Sequence, residues 1–150
     1  MDLMFYNAKH GNWADKAVSW WTWGPYSHTE IRFPDGQCFS ASPREKLVRF
    51  KKINVIPEHW NIISLPLEEI PGVREWCETQ VGKKYDWLGI LGFAFFKEYD
   101  AGMNHPNAWY CSEICGEILR QSGWEDIPRK LSPNKLYRLV KDKPPPPLVR

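Results

Sequence analysis

The stretch Ser27-His28-Thr29-Glu30-Ile31-Arg32-Phe33-Pro34-Asp35-Gly36-Gln37-Cys38-Phe39-Ser40-Ala41-Ser42 reads as a β-hairpin. Ser27 to Phe33 is one strand and Gln37 to Ser42 its partner. Pro34-Asp35-Gly36 between them is turn chemistry, because glycine accepts a positive φ. Working outward, Asp2 to Tyr6 reads as a strand before the hairpin. Asn12 can cap a helix from Trp13 to Trp21, which Gly24-Pro25 breaks. After the hairpin, Lys46–Ile53 and Trp60–Leu65 read as third and fourth partners. From Pro71 the period becomes helical, up to Gly82. Asp86–Phe96 reads as a very apolar helix, Asp100–Asn107 as a loop, and Cys111–Gln121 as a helix closed by Gly123. Ser132-Pro133 opens a last short helix to about Leu139. Strands first and helices after predict the α+β class, with a small antiparallel sheet or half-barrel packed against helices.

The 150 residues fit one domain, 43% of them hydrophobic and 15% aromatic. Residues 1–143 are read as that domain, and 144–150, with four consecutive prolines, as an extended tail. The net charge of +2, from 20 basic and 18 acidic residues, argues against a nucleic-acid partner. The basic runs Arg44–Lys52 and Arg129–Lys143 read as solvated faces. No signal peptide is visible, and Trp87–Phe96 is far short of the roughly 20 apolar residues of a membrane span. The expectation is a soluble cytoplasmic protein whose cysteines, Cys38, Cys77, Cys111 and Cys115, stay reduced. Its compact, Trp-rich character would fit a phage-encoded or bacterial accessory protein. Of nine tryptophans, Trp13, Trp20, Trp21 and Trp23 are expected in the core, being at partly helical spacing.

Two segments carry possible chemistry. Period two puts His28 and Glu30 on one face of their strand, opposite Ile31 and Phe33. Cys111 opens a helix, where free N–H groups and the dipole favour a thiolate and could hold an oxyanion. A thiolate is the nucleophile, and a nearby imidazole completes its activation. The same thiol also lies on the stripe Cys111, Ile114, Cys115, Ile118 and Leu119, a plain core-facing side. On the residues alone, both readings of Cys111 stand. Cys38, Cys77 and Cys115 read as packing residues. His105 is close to Cys111 in the chain, while His10 and His59 have no obvious partner. No Gly-rich phosphate loop or metal-ligand cluster occurs, so neither metal nor organic cofactor is expected.

With these motifs in view, the chain resembles the circularly permuted papain-like cysteine hydrolases, the YiiX-like branch of the NlpC-type superfamily. The resemblance rests on Asp2-Leu3-Met4-Phe5, which lacks the family's leading Gly, and on Pro25-Tyr26-Ser27-His28. It continues through Gly82-Lys83-Lys84-Tyr85-Asp86 and Tyr110-Cys111-Ser112-Glu113 to Ser132-Pro133 with Leu136. It implies a papain-like domain in which Cys111 attacks an amide or ester and His28 is its base. A thioacyl-enzyme would form and be cleaved by water. The implied substrates are peptides, peptidoglycan fragments or acyl compounds. A lipid thioesterase or acyltransferase with the same dyad, and a non-catalytic binding module on the same fold, are the alternatives. Tyr26, Trp109 and Tyr110 are the expected substrate contacts. The resemblance also implies a third polar residue, often a Glu before an Ala, on the strand after the His. Phe39-Ser40-Ala41 places Ser40 there, so Glu30 and Ser40 are both candidates, Glu30 first. A two-residue Asp35-Gly36 loop would put Phe39 and Ala41 on the His28 face, and a three-residue loop or a bulge would put Ser40 and Ser42 there.

Overall fold

A computed structural model of the chain describes residues 1–65, 71–87, 89 and 107–143. Most of the predicted Asp86–Phe96 helix, the 100–106 part of the loop with His105, and the proline tail lie outside the described residues. Among the described residues seven strands form one mixed sheet: β1 (Asp2–Asn7), β2 (Tyr26–Arg32), β3 (Gln37–Ser42), β4 (Leu47–Lys52), β5 (Trp60–Ser64), β6 (Lys84–Tyr85) and β7 (Ala108–Trp109). Their order is β5-β1-β2-β3-β4-β6-β7. The first five pair antiparallel, as predicted, but β6 and β7 run parallel, so the sheet is not purely antiparallel. Among the described residues four α-helices accompany it: α1 (Trp13–Trp21), α2 (Val73–Gln80), α3 (Cys111–Gln121) and α4 (Pro133–Val140). The class is therefore α+β, a small mixed sheet packed against helices.

The hairpin settles the register left open above. Phe33 donates its N–H to the Gln37 carbonyl at 2.8 Å, so three residues form the loop, with Gly36 at φ +81°. Ile31 then pairs with Phe39 and Arg32 with Cys38. This parity carries Ser40 to the Glu30 face, and β4 brings Arg49 opposite Ser40. On the other face Leu3, Phe5, Ile31, Phe39, Ala41 and Val48 are fully buried. They pack with Ile114, Cys115, Ile118 and Leu119 of α3 in one core. That helix thus uses its apolar stripe for packing while its first residue reaches β2.

Helix α1 begins as its sequence predicts. The Asn12 side chain accepts from the Ala14 and Asp15 N–H groups, and Asp15 accepts from Asn12 N–H, a complete capping box. Its tryptophans depart from expectation. Trp13, Trp20 and Trp23 are 82%, 80% and 86% exposed, and Trp21 39%. The helix packs through Val18 and Ser19 instead, which are only half-buried, so its aromatic arc faces outward. At its C-terminal end Asn134 of α4 ties the turn to the sheet. Its Oδ1 accepts from Tyr26 N–H at 2.9 Å, and its Nδ2 donates to the Tyr26 carbonyl at 2.8 Å. Gly24 makes room, because a Cβ there would lie 2.3 Å from Asn134 Oδ1.

Candidate active site

Cys111 is the first residue of α3, and no side chain caps that helix end. The N–H groups of its first turn are thus not spent on a cap. The thiol sits against β2. Backbone N–H groups of Thr29 and Ser112 point to its sulfur, as does the His28 ring. Tyr85, from the Gly82–Asp86 turn, brings its hydroxyl to the same sulfur. Burial raises the Cys111 pKa, but His28 and these donors outweigh it and hold the thiol below its ordinary 9.0.

His28 Nε2 lies 2.8 Å from Glu30 Oε1. This leaves Nδ1 as the ring nitrogen for the thiol. Nδ1 is buried and has no partner of full hydrogen-bond geometry among the described residues. The thiol–imidazole contact is therefore loose, yet close enough for each group to stabilise the charged form of the other. Such contacts tighten when a reacting group arrives. Burial pulls the His28 pKa down, but the Cys111 thiolate and then Glu30 lift it to about 10. Both shifts run in the direction of a thiolate–imidazolium pair.

Glu30 is 1% exposed and fully engaged. Arg49 Nη1 donates to its Oε2 at 2.8 Å and Nη2 to its Oε1 at 2.7 Å, a bidentate clamp. Burial would raise the Glu30 pKa, but Arg49 and His28 overcome it and keep the carboxylate ionised. Arg49 also donates from Nε to Glu45 at 2.6 Å. Period two accounts for the Glu30–His28 contact, since both side chains leave the same strand face and the long Glu chain curls back to the ring.

Ser40 does not join them. Although on the Glu30 face, its hydroxyl donates to the Thr29 carbonyl at 2.7 Å. The β2–β3 gap beyond Ile31 and Phe39, where no further pairs form, is closed by this bond instead of a ladder bond. Ser40 thus holds the backbone beneath the site, not the imidazole. The aromatic candidates are buried or half-buried. Tyr26 is 6% exposed, and its hydroxyl accepts from Asn61 at 2.7 Å. Tyr110 is 2% exposed, and its hydroxyl accepts from Leu131 N–H at 3.2 Å. Both rings are largely buried, Tyr26 at the edge of a cavity of about 410 Å³ and Tyr110 beside Cys111. Trp109, half-buried, donates to Gln80 at 3.1 Å and packs edge-on against Trp76.

Two spaces adjoin the site. His28 and Glu30 border a groove of about 270 Å³ walled by Tyr6, Trp60, Arg44 and Lys52. Cys111 borders a separate recess of about 20 Å³ with Val18, Thr22, Tyr110 and Pro133. The thiol itself is 1% exposed. The other three cysteines are also buried and form no disulfide. Burial pushes Cys38 up to about 11 and Cys115 well above its ordinary value. Among the described residues no group of three His, Cys, Asp or Glu side chains is placed to hold a metal ion.

Two participants carry no role in the sequence reading. Arg49 sits inside the Arg44–Lys52 run, read as a solvated face, yet its side chain is 12% exposed and clamps Glu30. Its place on β4 opposite Ser40 is visible only once the register is known. Tyr85 stands in the quoted Gly-x-x-Tyr-Asp turn, which was the one signal that could have drawn it to the thiol. Compared with family models, curated proteins and solved structures, the chain matches none of them.

Proposed function

We propose that this protein is a cysteine-dependent hydrolase of the permuted papain-like kind, acting on an amide or ester. The observation that carries this reading is the linear array Cys111, His28, Glu30 and Arg49. It pairs a thiol below its ordinary pKa with an imidazole raised to about 10, and the imidazole is oriented by a clamped carboxylate. A structural cysteine has no need of such an array, whereas a nucleophile does.

On this reading the Cys111 thiolate adds to the carbonyl carbon. The oxyanion meets the Cys111 N–H at the helix start and the Tyr85 hydroxyl. His28 gives its Nδ1 proton to the leaving amine or alcohol as the tetrahedral intermediate collapses to a thioacyl-enzyme. It then takes a proton from the water that attacks the thioester, and the acid and the free thiol are released. Glu30 stays ionised throughout, fixing the ring and balancing the imidazolium charge. Because the thiol is 1% exposed, turnover needs its surroundings to open before a carbonyl can reach the sulfur.

The test is acyl transfer from an activated ester such as p-nitrophenyl acetate. The reading expects a burst of nitrophenol and a mass increase of one acetyl on the peptide carrying Cys111. Both should be lost in Cys111→Ala and strongly slowed in His28→Ala. Acylation spread over surface nucleophiles, and unchanged in Cys111→Ala, would overturn it.

A further inference from the structure

We propose that the outward face of α1 is a docking surface for an anionic lipid bilayer. The proposal does not depend on the hydrolase reading. Trp13, Lys16, Ala17 and Trp20 follow the spacing i, i+3, i+4, i+7 and share one side of the helix. All four are exposed, and Trp21 and Ala14 flank them. Trp23 extends the patch from the helix end, at φ +54°, a backbone region a bulky residue seldom occupies. Arg138 of α4 reaches this turn and donates to the Trp23 carbonyl at 3.3 Å.

Three tryptophans at 80% exposure or more on one helix and its end are far from the usual fate of that residue. A contiguous exposed apolar patch marks an interaction site. Its chemistry selects the partner. An indole joins an apolar body to one N–H donor, which suits the level where lipid headgroups meet acyl chains. The only charge on the exposed arc is Lys16, and Lys9 in the preceding turn and Arg138 beside Trp23 add cations at its rim. The one carboxylate of the helix, Asp15, is turned inward, accepting from Ser27 Oγ at 2.9 Å and from Asn12 N–H at 3.0 Å. The face is thus aromatic and cationic without an exposed anion, the pattern of an in-plane interfacial helix on anionic lipid. No helix among the described residues is long and apolar enough to cross a membrane, so the contact is with the surface. The inner side of α1 contributes Val18 and Thr22 to the recess at Cys111, so a bound bilayer would lie one helix away from the thiol.

Flotation of the full chain with lipid vesicles tests this. Wild type should float with vesicles of phosphatidylcholine and phosphatidylglycerol and far less with phosphatidylcholine alone. Trp13→Ala/Trp20→Ala, which removes no buried contact, should weaken binding at least about tenfold. Lys16→Glu should erase the preference for the anionic vesicles while circular dichroism stays native. Wild type that stays unbound with both compositions, or binds both equally, overturns the proposal. So does a double variant that floats like wild type. Concentration-dependent self-association lost in the double variant, without vesicle binding, would assign the face to a second copy of the chain.

Discussion

Glu30 has two neighbours that decide what it can be. Without Arg49, a carboxyl 1% exposed would take up a proton, and a neutral acid could not hold His28 as imidazolium. Arg49→Ala should therefore act twice. Urea unfolding should show a loss of about 3–5 kcal/mol, since one partner of a buried pair is left alone. The His28 pKa, followed by the NMR shift of its ring proton, should fall from about 10. Glu30→Gln keeps the shape and removes the charge, so it should lower that pKa by about a unit or more. An unchanged His28 titration in both variants would mean that Glu30 does not govern the ring. These relations were half legible in the sequence. A His and a Glu two apart on a strand share a face by geometry alone, which is why Glu30 stood ahead of Ser40. Arg49 was hidden because an arginine in a charged run looks the same whether it meets water or a carboxylate. Ser40 was misplaced for the opposite reason. Its face was open to inference, but its hydroxyl had a backbone carbonyl closer at hand.

At the level of elements, α1, β2 and α4 meet in a close approach at Gly24. Gly24→Ala would set a Cβ 2.3 Å from Asn134 Oδ1 and displace the amide that bonds both backbone groups of Tyr26. The expected cost is about 1–3 kcal/mol in thermal or urea unfolding, and Asn134→Ala should cost a similar amount. Helix α3 holds a second testable feature. Burial, opposed by the Tyr110 N–H, lifts the Glu113 carboxyl to about 7 from its usual 4.5. A raised acid destabilises the folded state as pH climbs from the unfolded value through the folded one. Wild type should lose stability relative to Glu113→Gln between about pH 4.5 and 7, with a constant difference above. Parallel melting curves that never diverge over this range would contradict it. Long elements with clear periods and caps, such as α1 and α3, were readable in advance. Strands β6 and β7 were not, because two residues carry no period and their pairing joins segments far apart in the chain.

Across the whole molecule, the sheet brings the early His and the late Cys together, which no local pattern could show. The shared charge pair also leaves a mark on global stability. The raised His28 contributes stability that is lost as pH climbs from its ordinary 6.5 through about 10, while the lowered Cys111 thiol contributes stability that grows up to its ordinary 9.0. Below 9.0 the two slopes oppose each other. Above 9.0 the unfolded thiol ionises while folded His28 keeps its proton to about 10. Stability contributed by the pair should therefore fall across pH 9 to 10, and His28→Ala should remove that fall in thermal unfolding. The outward tryptophans of α1 also show their meaning at this scale. Helical spacing put them on one side, but only the assembled fold shows that the other side of the helix meets the sheet.

The central claim is that His28 makes a thiolate of Cys111, and ultraviolet thiolate absorbance across pH measures this most directly. Cys38→Ser/Cys77→Ser/Cys115→Ser isolates the one thiol, with and without His28→Ala. The account predicts a Cys111 titration below 9.0 that rises when His28 is removed, since only the Thr29 and Ser112 N–H donors then oppose burial. A Cys111 that titrates at the ordinary thiol value in both proteins would contradict it.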